Sequence, residues 1–148
     1  MKTEPSKSIN KWAPWIKESY EMSGGVRTSE VYHELDRFFE LTKITDDPLA
    51  MVNPKIDHMW HKLTECTEQY GEFCISNYGS MIHHRPRTMA TPVAPEAVRN
   101  FYRHYQSAYG AIPSIWDEGT APELMAYGRG QRDTLPVTAQ WSGWPGRS

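Results

Sequence analysis

The chain predicts an all-α fold, a small irregular bundle of about five helices with an extended C-terminal arm. Apolar residues recur at i, i+3, i+4 and i+7 in successive stretches between Ile9 and Tyr109. Helix punctuation separates those stretches: Asn53-Pro54 and Pro95 read as starts, Gly79 and Gly110 as stops. No alternating pattern is long enough for a strand, and no internal repeat is present. A length of 148 residues fits one domain. The expected organisation is a helical domain over 1–116, led by a flexible arm over 1–8, and an extended Gly/Pro-rich tail over 117–148.

Taken in order, Ile9, Trp12, Trp15, Ile16 and Tyr20 keep helical spacing. Pro14 sets the start near Ala13, because proline is tolerated in a first turn, and Ser23-Gly24-Gly25 ends the segment. The two tryptophans read as packing residues. Thr28 or Ser29 caps a second helix to about Lys43, with Val31, Leu35, Phe38 and Thr42 on one face and Tyr32, Phe39 and Leu41 widening it. Residues 45–52 read as a loop. Asn53 as N-cap and Pro54 at the first helical position open a third helix, which turns Ile56, Met59, Trp60 and Leu63 inward. Thr67 reads as the cap of a fourth, with Tyr70, Phe73, Cys74 and Tyr78 apolar and Gly79 closing it. Residues 80–86 form a basic turn with His83 and His84, and 87–95 read as a linker. Pro95 opens a fifth helix with Val98, Phe101, Tyr102, Tyr105 and Ala108 on one face. Ile112, Pro113, Ile115 and Trp116 fold back on the bundle. Beyond Asp117 only Leu124 to Tyr127 reads as a helical turn.

Composition narrows the function. The formal net charge of -2 argues against a dedicated nucleic-acid binder, which carries a basic excess. No apolar run approaches the roughly 20 residues that cross a bilayer, and the charged start MKTEPSKSIN does not resemble a secretory signal. An intracellular setting, cytoplasmic or particle-associated, is expected. Cys66 and Cys74 are eight residues apart, roughly 12 Å along one continuous helix, so they are read as free thiols.

The stretch from Asn53 to Pro86 gathers four of the six histidines and both cysteines. Its spaced residues, Asp57, Trp60 and His61, then Tyr70, Cys74, Gly79, His84 and Pro86, resemble the glycine-rich-domain-containing-protein-like family, a domain of unknown function. The preceding Arg37-Phe38-Phe39 and the later Tyr105, Gly110, Pro113 and Trp116 extend the resemblance over roughly 29–116. Relatives often carry a second histidine two positions after the first. Leu63 stands there, so any site needing both histidines is damaged or absent.

Two chemistries compete for the motif. Asp57, Trp60, His61 and His84 form either a buried polar network that fixes helix packing or a metal site. In the metal reading His61 and His84, helped by Asp57 or His83, bind zinc, iron or copper. The network is the preferred reading, and no cofactor is expected. Cys74 shares its face with Tyr70, Phe73 and Tyr78 and reads as core rather than nucleophile. The run from His83 to Arg87 reads as a solvated turn. The tail carries Trp141, Trp144 and Pro145 outside any expected core, and tryptophan is a favoured interface residue. The expectation is therefore a non-catalytic structural or interaction component of a larger assembly, such as a virion or other particle, with protein partners. The alternative is a metal-binding domain, possibly enzymatic, built on His61 and His84. A module taking a small ligand at a Trp60 pocket is a third reading.

Overall fold

A computed structural model describes residues 14–16, 28–83 and 94–136. The described residues form five α-helices and one 3-10 turn, with no strand among them. The helices are α1 (Thr28–Ile44), α2 (Pro54–Thr64), α3 (Thr67–Tyr78), α4 (Pro95–Tyr109) and α5 (Pro122–Gly128); the 3-10 turn, Ser114–Asp117, lies between α4 and α5. The all-α class is thus observed. Residues 14–16 are helical as well, and Trp15 sets its ring edge-on to Phe73 at 5.7 Å. Trp12 and Tyr20 lie outside the described residues, as do the arm, the linker over 87–93 and the tail beyond 136.

Helix α1 is the central element: α2, α3 and α4 all pack on it, α2 also packs on α3, and α5 packs on α4. It buries Val31, Tyr32, Leu35, Phe38, Phe39 and Leu41 as expected, and Glu34 and Asp36 as well. The second set was not legible from apolar spacing, because charged residues register there as the solvent face. Helix α2 begins as its sequence predicts. Asn53 has extended backbone, its side chain accepts from the Ile56 amide at 2.9 Å, and Pro54 occupies the first turn. Between α2 and α3, Cys66 rather than Thr67 takes the cap position and makes no side-chain cap bond; Thr67 is already helical. Gly79 ends α3 at φ 85°, in the left-handed region where glycine carries no Cβ penalty.

The core is an aromatic chain. From Phe73 it runs to Phe39 (6.4 Å), Trp60 (5.3 Å from Phe39) and Phe38 (5.5 Å from Trp60). It continues to Phe101 (5.8 Å from Phe38) and Trp116 (4.6 Å from Phe101), so one series of edge and tilted contacts threads all four larger helices and the 3-10 turn. Packing does not stop at Trp116, where the extended tail was expected to begin. Leu124 and Tyr127 of α5 are buried, and Leu135 is 9% exposed. Gly128 makes the α5 contact close: a Cβ there would come within 2.3 Å of the Tyr102 ring. Arg99 adds donors to the Tyr127 and Arg132 carbonyls at 3.2 and 2.8 Å. The composition of 117–136 reads as tail because polar residues, glycine and proline dominate it; a few apolar side chains, together with polar contacts from Arg99, Asn53 and Lys55, hold it to the block.

Candidate functional site

Trp60 projects from the inner face of α2 between Phe38 and Phe39 of α1. A buried indole N–H needs an acceptor, and Trp60 Nε1 donates to the Tyr70 hydroxyl at 2.8 Å. That hydroxyl donates to the Ile82 carbonyl at 2.5 Å. Two bonds therefore fasten α2 to α3 and α3 to the turn that follows it. The Cys74 thiol lies beside the Tyr70 hydroxyl, and burial pushes its pKa up, with Tyr70 and the Ile82 backbone opposing the shift. A thiol held protonated in this way is a poor nucleophile. Cys66 and Cys74 are both free cysteines.

Next to this relay lies a cleft of about 390 Å³, within the range of small-ligand sites. Phe38, Leu49, Trp60, Met81 and Ile82 supply its apolar lining. Thr42, Lys43, Thr45, Asp46, Asp47 and His83 supply its polar lining. Trp60 gives its N–H to Tyr70, so what it offers the cleft is apolar ring. The polar side is braced from two directions. Lys43 donates to the Ser80 hydroxyl, tying the end of α1 to the turn after α3. Asp47 receives His104 Nε2 at 2.9 Å and Arg103 Nη2 at 3.3 Å from α4. The His104 bond, with Arg103 beside it, holds the Asp47 carboxyl below the usual range.

The predicted site residues fall in different places. Asp57 is buried in the first turn of α2 and Trp60 lines the cleft. His61, one turn after Asp57, is exposed and lies 3.5 Å from Glu65 on its own helix. His58 is the α2 histidine that turns partly inward; burial lowers its pKa, helped by Lys62 and His61. His83 is exposed at the cleft. His84, Trp141, Trp144 and Pro145 lie outside the described residues. Among the described residues no group of three or more His, Cys, Asp or Glu side chains comes together as a metal site.

Two buried polar clusters escaped sequence reasoning. In the first, Glu34 Oε1 receives the Tyr105 hydroxyl and, at 2.9 Å, the Trp116 indole N–H. Arg37 donates to the same Tyr105 hydroxyl at 2.8 Å and lies 3.7 Å from Glu34 Oε2. In the second, the Tyr78 hydroxyl donates to Asp36 at 2.5 Å. The available signal was the tyrosine and tryptophan content of the facing helices, whose N–H and O–H groups need acceptors when buried. Asn53 forms a third junction, because its Nδ2 donates to the carbonyls of Ile115, Trp116 and Glu118 and to the Thr120 hydroxyl, all within 3.1 Å.

Fold and site together define a helical block, pinned by buried hydrogen bonds, that carries a cleft of mixed polar and apolar lining beside its Trp60–Tyr70 pair. The chain belongs to the UCP032817-like family, whose model matches residues 9–109 and so spans the cleft and α1 to α4. No curated protein and no solved structure matches the chain. Among the described residues no helix is long and apolar enough to cross a membrane.

Proposed function

We propose that this protein is a non-catalytic interaction component of a larger assembly, a virion or comparable particle being one setting. Its helical block serves as a rigid body, and the segment bearing Trp141, Trp144 and Pro145 docks it to protein neighbours. The observation that carries the reading is how the buried polar side chains are used. Asn53, Glu34, Asp36 and Tyr70 each tie one element to another, as a scaffold requires. The relation to the glycine-rich-domain-containing-protein-like family is kept as part of this proposal, on the spaced residues from Asp57 to Pro86. So are an intracellular location and partners that are protein rather than membrane or nucleic acid.

The test is deletion of residues 137–148. The cut falls after Pro136 because Leu135 is buried and the Arg132 carbonyl accepts from Arg99. Full-length protein in its native extract is expected to run well above monomer mass on a sizing column. The truncated chain is expected to run as a monomer with unchanged helical circular dichroism. Entry of the truncated chain into the same complex removes the proposal. Elemental analysis addresses the metal alternative: stoichiometric zinc, iron or copper, lost on His61→Ala, would put it first.

A further inference from the structure

We infer that the cleft beside Trp60 binds a small zwitterion, one carrying an ammonium group and a carboxylate on a short aliphatic body. This is independent of the docking role proposed for the tail and stands on the charges that line the cleft. Lys43, Asp46 and Asp47 line it, with the His83 imidazole beside them. Asp47 is matched within the chain, because Arg103 and His104 of α4 both reach its carboxylate. Lys43 is not matched, since its ammonium bonds the neutral Ser80 hydroxyl. Asp46 is exposed, and among the described residues its carboxylate has no hydrogen-bond or ion-pair partner. One cation and one carboxylate therefore share a cleft without neutralising each other.

The two charges belong to different walls. The bond to Ser80 draws Lys43 to the turn after α3, which also carries His83. The Arg103 and His104 contacts draw the 45–47 loop toward α4. Both walls are held before a ligand arrives. Tyr70 fixes the turn through the Ile82 carbonyl. Asn100 donates to the Pro48 carbonyl at 3.1 Å, and the Ala50 amide to the Ala97 carbonyl at 3.1 Å, so the loop is fixed as well. Walls fixed in advance lose little freedom on binding. Phe38, Trp60 and Ile82 are buried and form the floor, so the apolar surface within reach of a ligand belongs to the half-buried Leu49 and Met81. That narrow strip suits one aliphatic side chain. A volume of about 390 Å³ lies at the low end of small-ligand sites, the scale of an amino acid or a dipeptide. One exposed ion pair is weak. Two of opposite sign, made together, discriminate against ligands that bear a single charge.

NMR titration of the isotope-labelled full chain with L-leucine and with L-leucyl-L-leucine tests the inference. Saturable shifts of the Asp46, Leu49, Met81 and His83 amides are expected with at least one of them, and the tighter ligand reports the charge separation the cleft prefers. N-acetyl-L-leucine lacks the ammonium and L-leucinamide lacks the carboxylate. Each is expected to bind at least about tenfold more weakly than the tighter zwitterion. Asp46→Asn removes the partner of the ammonium. It is expected to weaken the zwitterion about tenfold and leave N-acetyl-L-leucine unchanged. Lys43→Met is expected to weaken the zwitterion similarly and leave L-leucinamide unchanged. Because Lys43→Met also loses the bond to Ser80, Ser80→Ala serves as its control and is expected to keep the zwitterion affinity. The absence of saturable shifts at the cleft amides up to about 20 mM of either zwitterion overturns the inference. So does equal affinity for a singly charged analogue, or zwitterion binding that survives Asp46→Asn undiminished.

Discussion

At the scale of single residues, Asn53 carries the most. It is fully buried, its side-chain oxygen caps α2, and its amide nitrogen faces two carbonyls of the 3-10 turn and, just beyond it, the Glu118 carbonyl and the Thr120 hydroxyl. One NH₂ has two hydrogens, so these bonds are shared between acceptors. Asn53→Ala removes the cap and strands the buried carbonyls together, a loss of about 3 kcal/mol in denaturant unfolding. Asn53→Asp separates the two roles. It keeps the acceptor that caps Ile56 but points a carboxylate at oxygens that need a donor. At neutral pH it is therefore expected to be less stable than Asn53→Ala. Equal stability of the two variants would mean that the contact to the 3-10 turn contributes little. The cap role was legible from Asn-Pro before an apolar helical pattern. The second role was not, because its partners lie more than sixty residues away in sequence.

At the scale of elements, α1 to α3 meet through Trp60, Tyr70 and the Ile82 carbonyl, and the same contact sets the cleft wall. Tyr70→Phe keeps the ring and its packing while removing one acceptor and one donor. It removes the bond from the Trp60 N–H and the bond to the Ile82 carbonyl, both buried, so a loss of about 2 kcal/mol is expected. Cys74 supplies a readout of that junction that a general loss of stability does not mimic. In the native protein Cys66, which is partly exposed, is expected to react with a thiol reagent at neutral pH. Cys74, buried and protonated, is expected to wait for unfolding. Tyr70→Phe should speed the Cys74 reaction under native conditions. An unchanged rate would place the Ile82 turn under the control of packing rather than of this bond. The helices themselves were readable because apolar spacing, prolines and glycines agree with one another. Which of their polar residues go inside was not, since Glu34 and Asp36 are buried only because α3, α4 and the 3-10 turn present hydroxyls and an indole to them.

At the scale of the whole molecule, tyrosine is common to every buried junction described except that of Asn53, and that gives the fold a characteristic response to alkali. Burial pushes up the pKa of Tyr32, Tyr70, Tyr78, Tyr105 and Tyr109, and raises Tyr102 to about 12. Nearby carboxylates reinforce the shift for several: Asp36 for Tyr32 and Tyr78, Glu34 for Tyr105. Each group is neutral when folded and ionises more readily when unfolded. Their contribution to stability is therefore complete below the unfolded tyrosine pKa, near 10, and is lost as pH rises above it. Cys74 acts in the same direction, beginning nearer the ordinary thiol range. The expected outcome is a protein whose stability falls steeply above about pH 9 to 10, with tyrosinate absorbance and loss of helical signal rising together in one transition. Tyrosines titrating gradually with the helices intact would show that the hydroxyls reach solvent. In that case Asn53, rather than the tyrosine bonds, would be left as the main junction holding α2 and the 3-10 turn in register.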